Sequence, residues 1–270
     1  MKIYAWNIGM AATIPSNNGY KLCNWIIHEI LSDGPDCFIL TEFVVAEGIE
    51  YFWKKLKEKN YHWFINSATK GNGIMIAIKA DSFGFDTTFD YSKLTVKTAC
   101  DALKGNDLPD FYEIQVAWEN QPLSIIGVRI KVDKNSQKNI QYKRNQFNAL
   151  DEYLSTIEHN VICIGDYNAY WGNLWSTSQN TTMKKTMMSG YTLHTPDYGV
   201  GEWYSYVQSD GKANQLDHLI TNIKNNKISV EYNWDFLKPL RYTKGITKVS
   251  VGKPSGMPDH AILKCTISDK

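Results

Sequence analysis

Val161-Ile162-Cys163-Ile164-Gly165-Asp166-Tyr167-Asn168-Ala169 sets four consecutive apolar residues against a glycine, a carboxylate and an amide. Successive side chains on a strand point to opposite faces, so an unbroken apolar run of this length predicts a strand covered on both sides. The polar residues that end it then belong at the rim of a sheet. Nine further runs predict strands: 3–8, 37–40, 63–65, 74–78, 112–118, 124–130, 216–221, 228–232 and 261–266. Helical spacing appears twice. Leu22, Trp25, Ile26, Glu29 and Ile30 form one face, stopped by Gly34-Pro35, and Phe147, Leu150, Tyr153, Leu154 and Ile157 form another. Hairpin-like pairs such as 112–118 with 123–130 add an antiparallel contribution. Trp203 to Tyr206 also reads as a strand with buried alternate positions. A sheet-on-sheet core with helices outside would bury such two-sided strands. No internal repeat, low-complexity tract or long Pro/Gly linker divides the chain, so residues 1–270 are expected to form one domain.

The 43% hydrophobic and 13% aromatic content is enough to offset ordering entropy, which excludes a disordered chain. No stretch approaches the roughly 20 apolar residues of a membrane span. Met1 to Asn7 lacks the basic and then apolar run of a signal peptide, and the chain reads as soluble and cytoplasmic. The five cysteines, Cys23, Cys37, Cys100, Cys163 and Cys265, contain no CxxC pair, and four sit in apolar segments as expected small core residues. Twenty-nine Lys and Arg balance 28 Asp and Glu, which argues against a uniformly basic nucleic-acid-coating surface. The distribution is uneven. Residues 29–50 carry six acids and no Lys or Arg, 237–257 five bases and no acid, and 131–144 five bases against Asp133 alone.

Polar residues interrupt or end the apolar runs at five places: Asn7, Glu42, Asp166 with Asn168, Asp217 with His218, and Asp259 with His260. Any one could start a loop. Five strand ends in layered sheets converge on a rim, where sites are built. Hard oxygen donors such as Glu42, Asn7 and Asp259 suit Mg²⁺ or Mn²⁺. A histidine paired with a separate acid, as His260 with Asp217, suits an oriented general base. His218, one residue beyond Asp217, should face the other way and be structural. The chain has no P-loop, GxSxG elbow, GxGxxG loop or Cys/His zinc pattern, so metal-assisted phosphate-ester hydrolysis is favoured.

These motifs, Trp6-Asn7, Thr41-Glu42, Gly165-Asp166-Tyr167-Asn168-Ala169, Leu216-Asp217-His218 and Pro258-Asp259-His260, resemble in order those of the endonuclease/exonuclease/phosphatase superfamily, which includes DNase I-like and exonuclease III-like enzymes. The resemblance implies an α/β four-layer sandwich, two packed mixed β-sheets flanked by helices. It makes Glu42 the main divalent-metal ligand beside Asn7, with Asp259 close by. It assigns Asp166 and Asn168 to the attacking water and a phosphate oxygen. His260, oriented by Asp217, becomes the general base or the phosphate-contacting imidazole. The implied activity is a divalent-metal-dependent phosphoesterase, first of all a nuclease acting on DNA. The alternatives are a phosphatase or phosphodiesterase of a small phosphorylated molecule or lipid head group, and a catalytically altered phosphate-binding module.

One position departs from the pattern. Arg129 stands where DNase I-like members have histidine and abasic-site endonucleases tyrosine. Arginine can clamp a phosphate and stabilise transition-state charge but cannot protonate a leaving oxygen. The aromatics Tyr170, Trp171, Trp175, Tyr191, Trp203, Tyr204 and Tyr206 lie between Asp166 and Asp217 and read with equal weight as stacking platforms for bases or as core and interface residues. The basic segments 131–144 and 237–257 follow Arg129 and precede Asp259, which places both at the rim of the expected site and favours a nucleic-acid substrate.

Overall fold

Among the described residues two strand pairs run parallel, and they fix where the site forms. The computed structural model describes residues 1–9, 30–45, 49–66, 72–85, 90–133, 136–169, 190–208, 210–237 and 258–269. Tyr170, Trp171, Trp175, Cys23, most of the expected helix before Gly34 and the basic stretch from 238 to 257 lie outside these residues. The first sheet has strand order β13-β14-β1-β2-β4-β3, with β1 Lys2–Asn7, β2 Cys37–Phe43, β3 Tyr61–Asn66, β4 Gly73–Lys79, β13 Asn226–Asn233 and β14 Ile262–Asp269. The second has order β5-β6-β7-β8-β12-β9, with β5 Val96–Thr98, β6 Asp110–Trp118, β7 Gln121–Arg129, β8 Asn160–Asp166, β9 Thr192–His194 and β12 Asp217–Thr221. A small ladder joins β10 Tyr206–Val207 to β11 Ala213–Asn214.

Within each sheet the central pair, β1 with β2 and β7 with β8, is parallel, and the other pairs are antiparallel. The C-terminal ends of a parallel pair therefore share an edge with the N-terminal ends of their antiparallel neighbours. Asn7 stands opposite Thr41, Arg129 opposite Asp166, and Asp166 opposite Asp217. Strands occupy all ten long apolar runs, whereas the expected strand at Trp203 to Tyr206 survives only at its last residue. The short strands β5 and β9 escaped detection because three residues carry too little periodicity.

Alternation along the strands divides the core into two. On β8, Ile162 and Ile164 join the cluster between the sheets, whereas Val161 and Cys163 face outward to Phe147, Leu150 and Leu154. Those three residues lie on the helix Ser136–Leu154, which starts well before the expected Phe147 and ends before Ile157. Gly127 marks a close approach of the sheets. A Cβ there would stand 2.7 Å from Ile74 Cγ2 and 2.8 Å from Ile39 Cγ2. The first sheet is covered by the helix Ile49–Glu58, which buries Ile49, Phe52 and Leu56 on one face and sets Phe52 against Phe43. Its lysine-rich sequence concealed that face from the sequence reading. The described end of the preceding helix stops at Gly34, whose φ of 55° suits a C-terminal cap. Cys37, Cys163 and Cys265 are buried free thiols, whereas Cys100 is exposed. Among the described residues no helix is long and apolar enough to cross a membrane.

Candidate active site

The strand ends converge as the topology requires. Asn7, the last residue of β1, donates from Nδ2 to Asp166 Oδ2 at 2.9 Å and to Glu42 Oε1 at 3.4 Å, which ties the two sheets together. Its Oδ1 accepts from the Gly9 amide at 3.0 Å, so the turn-capping and bridging roles coexist. Glu42 sits in a bulge of β2, where the register with β4 shifts between Thr41 and Phe43. Its φ of 52° is a left-handed conformation that non-glycine residues rarely adopt. Bulges re-aim side chains, and strained backbone held by surrounding structure is common at functional sites.

Asp166 closes β8 and is buried at 1% exposure. It accepts from the Asn168 amide at 2.8 Å and from Asn168 Nδ2 at 3.0 Å, and Asn168, with φ 47°, also donates to the Ile130 carbonyl at 2.8 Å. Burial raises the Asp166 pKa, with Asp217 adding to the rise and His260 and Arg129 opposing it. Asp217 opens β12 rather than lying inside a strand. Its Oδ2 accepts from His260 Nδ1 at 2.7 Å, and its buried Oδ1 has no hydrogen-bond partner. Burial alone would lower the His260 pKa, but the Asp217 and Asp166 carboxylates outweigh it and push it up to about 10. The two carboxylates therefore favour its imidazolium form. That makes it a poor metal ligand although it lies within 4.8 Å of the Asp166 and Asp217 carboxylates. Asp259 lies beside Gly9, where a Cβ would stand 3.6 Å from Asp259 Oδ1.

Tyr232 and Ser205 support the site without any sequence signal, and Trp6, part of the first motif, supports it as well. Trp6 Nε1 donates to the His260 carbonyl at 2.9 Å, and Tyr232 OH to the Asp217 carbonyl at 2.5 Å. Ser205 accepts from the amides of Leu216 and Asp217 through Oγ and from the Ala261 amide through its carbonyl, so it joins the His260 segment to β12. These bonds hold residues 203–205 out of the expected strand, which is reduced to Tyr206–Val207. Lys143, expected at a basic rim, is instead buried, with its ammonium on the Asn168 carbonyl, and burial lowers its pKa. Its place one turn before Phe147 on the buried helix face was the available signal. His218 is a structural histidine as expected. It is buried, bonded to the Ala169 carbonyl at 2.9 Å, and held neutral by a pKa that burial lowers to about 4.

Arg129 Nη2 lies 2.6 Å from Glu42 Oε1 and Nη1 3.2 Å from Asp110 Oδ2. Asp110, opposite Arg129 in the β6–β7 ladder, went unnoticed in the sequence because it sits at the start of a strand without a motif. Of the aromatics, Tyr206 has its ring 5.1 Å from that of His260. Trp203 packs against Tyr198 at 4.3 Å, and Tyr204 lies 6.1 Å from Trp234. Tyr191 does not belong to this group. It is buried, donates to the Leu154 carbonyl, and lines a cavity of about 470 Å³ with His159, Asn160 and Lys224 at the opposite end of β8. That end lies roughly 20 Å from Asp166 at strand spacing.

No protein-family model and no curated protein matches the chain. Solved structures do, along nearly the whole length. It is similar to an AP endonuclease from Archaeoglobus fulgidus (15% identity, TM-score 0.65, covering 99% of each chain) and to a 3'-5' exonuclease from Neisseria meningitidis (16%, TM-score 0.65, 99% of this chain and 100% of that one). It is also similar to D. rerio TDP2 complexed with single strand DNA product (14%, TM-score 0.64, 99% and 98%). The chain has the endonuclease/exonuclease/phosphatase fold. The two six-stranded mixed sheets are the inner layers of this DNase I-like sandwich, and the helices Ile49–Glu58 and Ser136–Leu154 lie on its outer faces.

Proposed function

We propose that this protein is a divalent-metal-dependent phosphoesterase, a nuclease that hydrolyses phosphodiester bonds of DNA. The observation that carries this reading is the meeting of Asn7, Glu42, Asp166, Asn168, Asp217, Asp259 and His260 on one rim of a fold whose similar structures include an AP endonuclease and a 3'-5' exonuclease. Because the site draws on residues from 7 to 260, we read the chain as one domain. Its free thiols fit a reducing, cytoplasmic compartment.

The donor set fits a hard cation. Among the described residues, the carboxylates of Glu42, Asp110, Asp166, Asp217 and Asp259 outnumber the cations Arg129, Lys131, Lys143 and His260, and Asp217 Oδ1 is buried without a partner. Glu42, with Asn7 and Asp259, would hold Mg²⁺ or Mn²⁺. When bound, such an ion neutralises charge on the non-bridging phosphate oxygens. Asp166, made more basic by burial, orients the attacking water and takes its proton, with Asn168 and Asn7 fixing its carboxylate. His260, protonated and held by Asp217, donates to a phosphate oxygen as charge develops there.

The test is incubation of the purified protein with single-stranded, double-stranded and abasic DNA and with RNA, in Mg²⁺ or Mn²⁺. Glu42→Gln should lower the cleavage rate by at least about 100-fold. Cleavage of none of these substrates in a Glu42-dependent way would sink the reading, and release of inorganic phosphate from small esters alone would transfer it to a phosphatase. On this reading Tyr206, whose ring lies beside that of His260, stacks on a base, which is worth about 1–3 kcal/mol. Tyr206→Ala should therefore weaken binding of a short single-stranded oligonucleotide by about 5- to 150-fold in fluorescence anisotropy. Unchanged affinity would remove Tyr206 from the binding surface.

A further inference from the structure

Arg129 is held in a way that its departure from the family pattern did not foretell. Its guanidinium is split between carboxylates from the two sheets, Nη2 on Glu42 Oε1 at 2.6 Å and Nη1 on Asp110 Oδ2 at 3.2 Å. Its side chain is only 12% exposed, and Nε is buried without a hydrogen-bond partner. Glu42 Oε1 also receives Asn7 Nδ2 at 3.4 Å, so two donors already share this one oxygen. The bulge of β2 and the positive φ of Glu42 set the direction in which its side chain leaves the strand, and that side chain reaches the guanidinium. Asp110 anchors the other arm from the neighbouring strand.

We propose that Arg129 and a divalent cation compete directly for Glu42, so that the arginine sets how much free cation the site needs. The proposal rests on the reading above that Glu42 holds the cation. A carboxylate oxygen occupied by a guanidinium has fewer lone pairs to offer, and a buried positive charge beside it is poorly screened by solvent. A histidine or tyrosine at position 129 would impose neither constraint while neutral. The chain should consequently bind Mg²⁺ and Mn²⁺ weakly, and occupancy should release the Nη2 arm of Arg129 while Asp110 retains Nη1.

Two measurements on the full chain test this. Calorimetric titration with Mn²⁺ alone should show Arg129→Gln binding at least tenfold more tightly than wild type. Arg129→Lys keeps the charge but loses the fork that spans Glu42 and Asp110, and it should bind more tightly than wild type as well. In ¹⁵N-labelled wild-type protein, titration with Mg²⁺ should move the Arg129 Nε–H resonance with the same saturation as binding, a readout independent of any variant's folding. The proposal is overturned if Arg129→Gln binds Mn²⁺ within twofold of wild type, if Arg129→Lys matches wild type so that charge alone accounts for the effect, or if the Nε–H resonance stays fixed while Mg²⁺ binds. Glu42→Gln separates the two levels of the argument. If it abolishes Mn²⁺ binding while Arg129→Gln changes nothing, the competition falls and the assignment of Glu42 stands. If Glu42→Gln leaves Mn²⁺ affinity intact, the assignment itself falls and the competition falls with it.

Discussion

His260→Gln should reduce phosphodiester hydrolysis by about 10²- to 10⁴-fold, the usual contribution of a positioned proton donor or acceptor. The same substitution should also alter how stability depends on pH. The folded pKa of about 10 lies above the ordinary histidine value of 6.5, so protonated His260 stabilises the folded chain. That contribution is fully present below about pH 6.5 and is lost as pH rises through 10. A proton held more tightly by the folded chain is worth about 1.4 kcal/mol for each tenfold gain in its affinity, so the wild type should lose a few kcal/mol across this window. Denaturant unfolding at pH 6.5 and pH 10 measures it directly. His260→Gln should flatten the slope, and so should Asp217→Asn, which removes the carboxylate bonded to Nδ1. A slope that survives both changes would mean that His260 is neutral in the folded chain, and the role of proton donor to phosphate would be lost with it.

Gly165→Ala is the substitution expected to damage the fold most. Gly165 has φ +150°, and a Cβ there would stand 2.1 Å from the carbonyl oxygen of Val128, its partner in the parallel β7–β8 ladder. No flexible side chain can move aside, because the obstacle is backbone. Overpacking and a disfavoured φ together should cost about 3 kcal/mol or more. The strands that separate at this point carry Arg129 and Asp166 on their next residues, so cation binding should weaken along with stability. Equilibrium unfolding gives the first quantity, and a loss below about 1 kcal/mol would show that the close approach is not structurally required. Retention of soluble, folded protein at low temperature would allow the second to be measured by Mn²⁺ titration.

Much of this site was legible because strand periodicity is local. The run Val161 to Ile164 announces a two-faced strand, and the abrupt change at Gly165-Asp166 announces its end, without knowledge of any partner. Asn7, Glu42 and the Asp259-His260 pair are local marks of the same kind, and Asp217 and His218, neighbours on one strand, do point their side chains in opposite directions. A side chain whose fate depends on remote chain leaves no such local mark. Lys143 looked like part of a basic rim, but the helix phase turns it beneath Asp166. Tyr191 looked like part of an aromatic surface, but β9 pairs at the far end of β12 and carries Tyr191 away from His260. Ser205 had no motif at all, since its function is to satisfy amides from two distant segments.

Arg129 draws the boundary between the two kinds of information. The sequence by itself determined that strands with apolar faces on both sides end in carboxylates, amides and a histidine, and that an arginine replaces the usual histidine or tyrosine. Only the tertiary structure decided that this arginine is shared by Glu42 and Asp110, because one of those partners lies on the other sheet and the other lies across a ladder. Side-chain alternation is set residue by residue along a strand. The register of pairing and the packing of one sheet on another are set by the whole chain at once, and they place two carboxylates at the two ends of one guanidinium.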